Sequence, residues 1–221
     1  MKYALLSTTE ILEDLCDKIR RLELTPGSKI SENEMASFYN VSRSSIRTVF
    51  SKLEQMFLIL RYPQIGTFIS PFDLNHIRNA LYVRDLVEVD AVEEIINLEE
   101  KEGIISSLQA NIHLQEMLRD SQDYEAEFKK NDTAFHKIIL DSVGKSGLMD
   151  IIKDSSIHID RWKNFDIWYR KKINLIIEEH TQILESIKKN DFVMAKEVMK
   201  KHLLIDDFYV MQARVEFPNY F

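Results

Sequence analysis

The sequence predicts a mainly α-helical protein in two parts, and three observations carry that prediction. Apolar residues recur at helical spacing through most of the 221 residues. Breakers are unevenly placed: beyond residue 72 there is no proline until Pro218, and the glycines are Gly103, Gly144 and Gly147. Charge is divided as well. Residues 1–72 hold nine basic and eight acidic side chains, the remainder 20 and 28, within a formal net charge of -7. The expected architecture is a small helix-and-hairpin domain over 1–72 and an antiparallel all-helical bundle of about six helices over 73–221.

The first domain can be read element by element. Ser7 and Glu10 in "STTE" have capping-box spacing and precede Ile11, Leu12, Leu15, Ile19 and Leu22, a helical stripe. Pro26-Gly27 ends that helix. Ser31 and Glu34 repeat the capping spacing before a short helix that buries Met35 and Ala36, and Asn40 is a stop because Asn tolerates left-handed backbone. Ser42 then caps a third helix, with Ile46, Val49, Phe50, Leu53 and Phe57 on its inner face and Arg43, Ser44, Arg47 and Ser51 opposite. Runs at Leu58–Tyr62 and Thr67–Ser70, joined by a Pro and Gly turn, predict a hairpin.

Two short helices followed by a hairpin describe a winged helix-turn-helix. Its second helix shows arginines and hydroxyls at an exposed N-terminal end, in a stretch with no acid between Met35 and Leu53. Arginine grips guanine O6/N7 or phosphate, and Ser hydroxyls suit phosphate oxygens, so this face is expected to meet double-stranded DNA. The run "LTPGSKISENEMASFYNVSRSSIRTVFSKLEQMFLILRYPQIGTFIS" resembles the winged helix of GntR-type bacterial transcription regulators. Pro26-Gly27, Glu32, Met35-Ala36, Val41-Ser42-Arg43, Ile46-Arg47, Leu53 and Gly66 occupy that family's motif positions. The resemblance implies DNA contacts at Ser42, Arg43, Ser44, Arg47 and Gly66. It also implicates Asn33, which stands where some members carry an arginine.

In the second part, helices are expected at about 74–100, 103–119, 123–143, 147–163, 168–189 and 191–214. Asp132 and His136 are four residues apart and share a helix face. "KKND" at 188–191 predicts a helical hairpin. His180 and His202 would then lie about 15–18 Å from its turn at nearly equal height. Three imidazoles and a carboxylate suit Zn²⁺ or another first-row divalent ion (Ni, Mn or Fe). His76, His113 and His158 fit no such pattern and are expected as surface or packing residues.

"NDTAFHKIIL", "EEHTQILESIKKNDFVMAKEVMKKHL" and "YVRDLVEVDAVEEI" resemble the FCD-type effector domain of the FadR subfamily. The resemblance implies metal ligation by Asp132, His136, His180 and His202, and points to Arg84 as a grip for an effector carboxylate. Arg84 also has Glu88 at i+4 as an intrahelical partner. Arg161 and Trp162 are further candidates for the pocket wall.

The function expected from these readings is a homodimeric transcription regulator, a repressor, controlled by a small carboxylate metabolite at the metal site. A metalloenzyme with Glu178 or Glu179 as base is the competing class, and a metal that is structural or is itself the signal is a third reading. No apolar run approaches the roughly 20 residues of a bilayer span. "MKYALLSTTEILEDL" reaches acids too early for a secretory signal, and the single Cys16 excludes an internal disulfide. A cytoplasmic protein without membrane contact is therefore expected.

Overall fold

The computed structural model describes residues 6–119 and 124–221. They fall into two compact units. The first comprises the chain up to Leu74 together with Ile157–Phe165 and Asp206–Phe221; the second comprises Asn75–Ser156 and Asp166–Ile205. The division is discontinuous in sequence, whereas the expected boundary near residue 72 is a single cut.

In the first unit, helix α1 (Thr8–Arg20) starts on the expected capping box. Ser7 Oγ accepts from the Glu10 amide at 3.2 Å, and the Glu10 carboxylate takes the Ser7 N–H at 2.7 Å. Helix α2 (Glu32–Tyr39) begins after Ser31, whose hydroxyl accepts from the Glu34 amide, and ends on Asn40 with φ 53°. Helix α3 (Arg43–Gln55) begins on Ser42. Ile46, Val49, Phe50 and Leu53 of α3 pack with Ile11, Leu15 and Ile19 of α1 in one core. Each such side chain contributes roughly 1.5–3 kcal/mol by leaving water. Phe57 departs from its expected place in this stripe. The helix has already ended, Phe57 takes φ 56°, and its ring is 71% exposed.

Strands β2 (Ile59–Tyr62) and β3 (Gly66–Ile69) form the expected hairpin, with Tyr62 opposite Gly66. A further strand, β1 (Lys29–Ile30), pairs with β3 and completes a sheet of order β1-β3-β2. Two residues are too short to show any periodicity in sequence. Gly66 has φ 141°, a backbone conformation that residues with a Cβ rarely adopt, so glycine suits the start of β3.

The late segments of this unit gather around Phe72. Its ring meets Trp162, Phe165, Tyr220 and Phe221, and its N–H donates to the Tyr220 carbonyl at 2.7 Å. Arg161 is buried here. It donates to the Ser70 carbonyl at 2.6 Å and lies over the Phe72 ring, and burial pushes its guanidinium down to about 10. His158 Nε2 is 2.9 Å from the Met56 carbonyl.

The second unit is built from helices α4 (Leu74–Asn97), α5 (Glu102–Met117), α6 (Tyr124–Ser142), α8 (Ile173–Lys189) and α9 (Phe192–Leu203), with the ends of α7 (Lys153–Arg170). The α8–α9 hairpin turns where "KKND" predicts it. Asn190 is left-handed at φ 55°, and the Asp191 carboxylate caps α9 by accepting from the Met194 amide. The expected start of a helix at residue 123 lies outside the described residues.

Two expected boundaries are corrected. The helix expected over 147–163 is a 3₁₀ turn, Ser146–Ile152, followed by α7, which runs on to Arg170. The chain then reverses through Lys171 at φ 50°, a conformation that nothing in a lysine announces. The helix expected over 191–214 breaks after Leu203. Leu204 is extended, and Asp206 caps a separate helix, α10 (Asp207–Glu216), by accepting from the Phe208 amide. Seven α-helices therefore follow the wing among the described residues, where about six were expected.

Candidate functional site

In the first unit, the residues singled out for DNA lie at the start of α3 and around it. Ser42 Oγ accepts from the Ser45 amide at 3.1 Å and shares hydrogen bonds with the Ser44 and Ser45 hydroxyls. Arg43, Ser44 and Arg47 are exposed, as is Asn33 on α2, while Gly66 opens β3. Ile46 and Val49 anchor the opposite face of the helix, so the fold leaves the arginines outside. Both meet one acid. Glu32 Oε1 and Oε2 accept from Arg47 Nε at 3.3 Å and Nη2 at 3.2 Å, and Arg43 Nη2 lies 3.8 Å from Glu32 Oε2.

The second unit brings together all four candidate metal ligands. Asp132 and His136 come from α6, His180 from α8 and His202 from α9. All four are buried, with one ligand atom from each lying within 4.8 Å of the others. Asp132 Oδ1 is 3.9 Å from His136 Nε2 and 3.7 Å from His180 Nε2, too long for hydrogen bonds and suited to donors that share a centre. His136 Nε2 and His202 Nε2 are 3.1 Å apart. Phe135 stacks on the His180 ring at 3.9 Å and fixes its plane.

The outward nitrogen of each ring has its own partner. His136 Nδ1 is 2.5 Å from Glu88 Oε2, His180 Nδ1 is 2.8 Å from Gln115 Oε1, and His202 Nδ1 is 3.0 Å from Glu179 Oε2. The Gln115 contact fixes a tautomer by a chain of necessity. The Asn131 carbonyl can only accept, so the Asn111 amide nitrogen faces it at 3.0 Å. Asn111 Oδ1 then faces Gln115 Nε2 at 2.7 Å, which turns Gln115 Oε1 toward His180. His180 must therefore carry its proton on Nδ1. The carboxylates of Glu88 and Glu179 require the same of His136 and His202.

With each outward Nδ1 engaged, the three Nε2 atoms and the Asp132 carboxylate face one another, as ligands sharing one cation would. Imidazoles held by an outer N–H bond are the usual arrangement of metal-bound histidine, and an N₃O donor set fits Zn²⁺ and other first-row divalent ions.

Glu88 is fully buried and bridges His136 and Arg84, whose Nε lies 2.7 Å from Glu88 Oε1. Burial works to raise the Glu88 carboxyl, but the Arg84 charge and the hydrogen bonds from Arg84 and His136 outweigh it and hold it below the usual carboxylate range. Burial pushes Glu179 the other way, up, against the charges of Lys172, Lys201 and Arg170.

Arg84 therefore has the intrahelical partner read from its spacing. Glu178 is exposed and points away from the cluster, while Glu179 holds a histidine. Arg161 and Trp162 do not join the pocket: both belong to the first unit, in the Phe72 cluster. His113 is exposed, and His158 packs in the first unit. Gln115 and Asn111 belong to no motif in the sequence. Their signal is two amides one helical turn apart on a buried face, visible only once the partner helices are known.

Known proteins resemble the chain along most of its length. Residues 7–69 match the family "Bacterial regulatory proteins, gntR family", and residues 79–204 match the FCD domain. An HTH-type transcriptional regulator from an unstable DNA locus of Streptomyces ambofaciens is 27% identical, across 96% of this chain and 88% of its own. The HTH-type transcriptional repressor RspR of Escherichia coli (strain K12) is 24% identical, across 90% and 86%. The crystal structure of a GntR regulator from Rhodococcus sp. RHA1 has the same fold, with a TM-score of 0.68 at 18% identity across 95% and 98% of the two chains. These relatives are regulators rather than enzymes, and no helix among the described residues is long and apolar enough to cross a membrane. A winged helix-turn-helix in one unit, a histidine–aspartate centre in the other and matches to both family models place this chain in the gntR family of bacterial regulatory proteins, as a DNA-binding transcriptional regulator with an FCD domain.

Proposed function

We propose that this regulator is a repressor whose operator affinity is set by a divalent metal ion and a small carboxylate bound in the second unit. The observation that carries the proposal is the convergence of Asp132, His136, His180 and His202 with every outward Nδ1 donated to Glu88, Gln115 or Glu179. A bound ion would supply Lewis acidity and coordination positions beyond the four protein donors, suited to a carboxylate oxygen. Arg84, held against the Glu88 that touches His136, offers a cation for the rest of the ligand.

In the first unit, Ser42, Arg43, Ser44 and Arg47 meet bases and phosphates, with Asn33 and Gly66 at the margins. One short recognition helix reads few bases, so two copies of the chain act together as a homodimer on a two-fold site. The repressor sense follows the relative RspR, described as a repressor. Ligand control requires that the effector bind the two arrangements of the dimer unequally.

The test is fluorescence anisotropy of the full chain on a duplex that it enriches from a random pool, with Zn²⁺ and after chelation. Saturable, sequence-selective binding is expected, changing by about 5- to 150-fold between the two conditions. His180→Ala should bind with an affinity that no longer depends on Zn²⁺. Absence of selective binding would overturn the DNA assignment. Equal affinity in both conditions, with a lower melting temperature after chelation, would make the ion structural and overturn metal control.

A further inference from the structure

We infer that Glu32 sets the base specificity of the α3 face, by holding Arg47 on one edge of its guanidinium and leaving the other edge for a guanine. This rests on the assignment of that face to DNA and adds a residue that does not itself read a base. Glu32 opens α2, next to its Ser31 cap, where the positive end of the helix favours a carboxylate. The acid is then presented to α3, across the turn.

The geometry is specific. Arg47 uses Nε and Nη2 on Glu32, at 3.3 and 3.2 Å. A guanidinium has a second pair of parallel N–H bonds, on Nη1 and Nη2, and this end edge matches guanine O6 and N7. Both arginine side chains are 61% exposed while that of Glu32 is 20% exposed, so the acid lies inside the cations it organises. Arg43, one turn earlier on the same face, is drawn to the same carboxylate at 3.8 Å.

Two consequences follow for recognition. A long exposed arginine samples many rotamers, and fixing one edge beforehand reduces the ordering lost on binding. The carboxylate also repels phosphate, which disfavours complexes in which Arg47 swings onto the backbone at a wrong sequence. Both act on the difference between right and wrong DNA rather than on affinity as such.

The experiment measures dissociation constants of the full chain for the enriched duplex and for a random duplex of equal length. The variants are Glu32→Gln, Glu32→Asp, Arg47→Ala and the double variant Glu32→Gln/Arg47→Ala. Glu32→Gln should lower the ratio of selective to random affinity by about tenfold, within the range of one bidentate base contact, and should raise random binding. Glu32→Asp should recover part of the ratio. In the Arg47→Ala background, Glu32→Gln should no longer lower the ratio of selective to random affinity, although removing the carboxylate still raises both. Replacing the contacted guanines by 7-deazaguanine should penalise the wild-type chain more than Glu32→Gln.

Equal gains on both duplexes would overturn the inference, since Glu32 would then only screen charge. A loss of melting temperature in Glu32→Gln that Glu32→Asp does not restore would assign it to the fold and overturn it as well. If the wild-type chain enriched no sequence, the DNA assignment itself would fall. Selective wild-type binding with an unchanged ratio in Glu32→Gln would sink this inference alone.

Discussion

The α3 face and the histidine centre solve one problem, the aiming of a charged or coordinating side chain, on opposite sides of the dielectric boundary. At the surface, Glu32 holds Arg47 and attracts Arg43, all three in contact with water. In the second unit, Glu88, Gln115 and Glu179 hold three histidines that are almost entirely enclosed. An exposed ion pair contributes little to stability, whereas removing one partner of a buried pair leaves a charge with no solvent. The comparison teaches where to look for each effect: in folding and metal affinity for the buried set, in DNA selectivity for the exposed one.

The sharpest way to break that comparison is Glu88→Ala. It strips a fully buried carboxylate from both Arg84 and His136, and should cost about 3–5 kcal/mol in urea unfolding. Its milder form, Glu88→Gln, carries a pH signature. The folded Glu88 carboxyl is lowered from its ordinary 4.5, so its stabilisation is complete above that value and is lost as the pH falls through its own lower value. The gap in unfolding free energy between wild type and Glu88→Gln should therefore narrow below pH 4.5. Glu179, raised by burial, has the opposite sign: its ionised form disfavours folding above its ordinary 4.5, and protonation relieves that as the pH falls.

A smaller effect is expected at Gln115→Leu, which removes the acceptor that fixes the His180 tautomer. Zn²⁺ affinity, measured by competition with a chelator, should fall about 10- to 100-fold with the helical content unchanged. Smaller still, Ser42→Ala removes the cap of α3 and should cost about 1 kcal/mol in thermal unfolding, without altering Zn²⁺ affinity. The least change in stability is expected at the exposed pair. Arg47→Ala should leave the melting temperature within error while weakening operator binding. A large drop in melting temperature there would erase the distinction between the two regions.

The sequence made some of this legible and hid the rest for identifiable reasons. Ser7, Ser31, Asn40 and Ser42 announce their caps because capping is local chemistry. Asp132 and His136 are one helical turn apart, and Asn190 marks the hairpin that sets His180 beside His202, with ring centroids 4.7 Å apart. Gln115 was hidden because its partner is 65 residues away and its amide orientation depends on the Asn131 carbonyl. The left-handed Lys171 and Phe57 were hidden because neither residue type favours that backbone. The Phe72 cluster was hidden because Trp162 and Tyr220 reach it from distant parts of the chain.

The central claim is that the four converging side chains are a metal centre, and X-ray absorption at the Zn edge of the Zn-loaded full chain tests it most directly. The account predicts three imidazole nitrogens at about 2.0–2.1 Å with oxygen completing the shell, and loss of one imidazole in His202→Ala. A shell of oxygen alone, or one unchanged in His202→Ala, would contradict it.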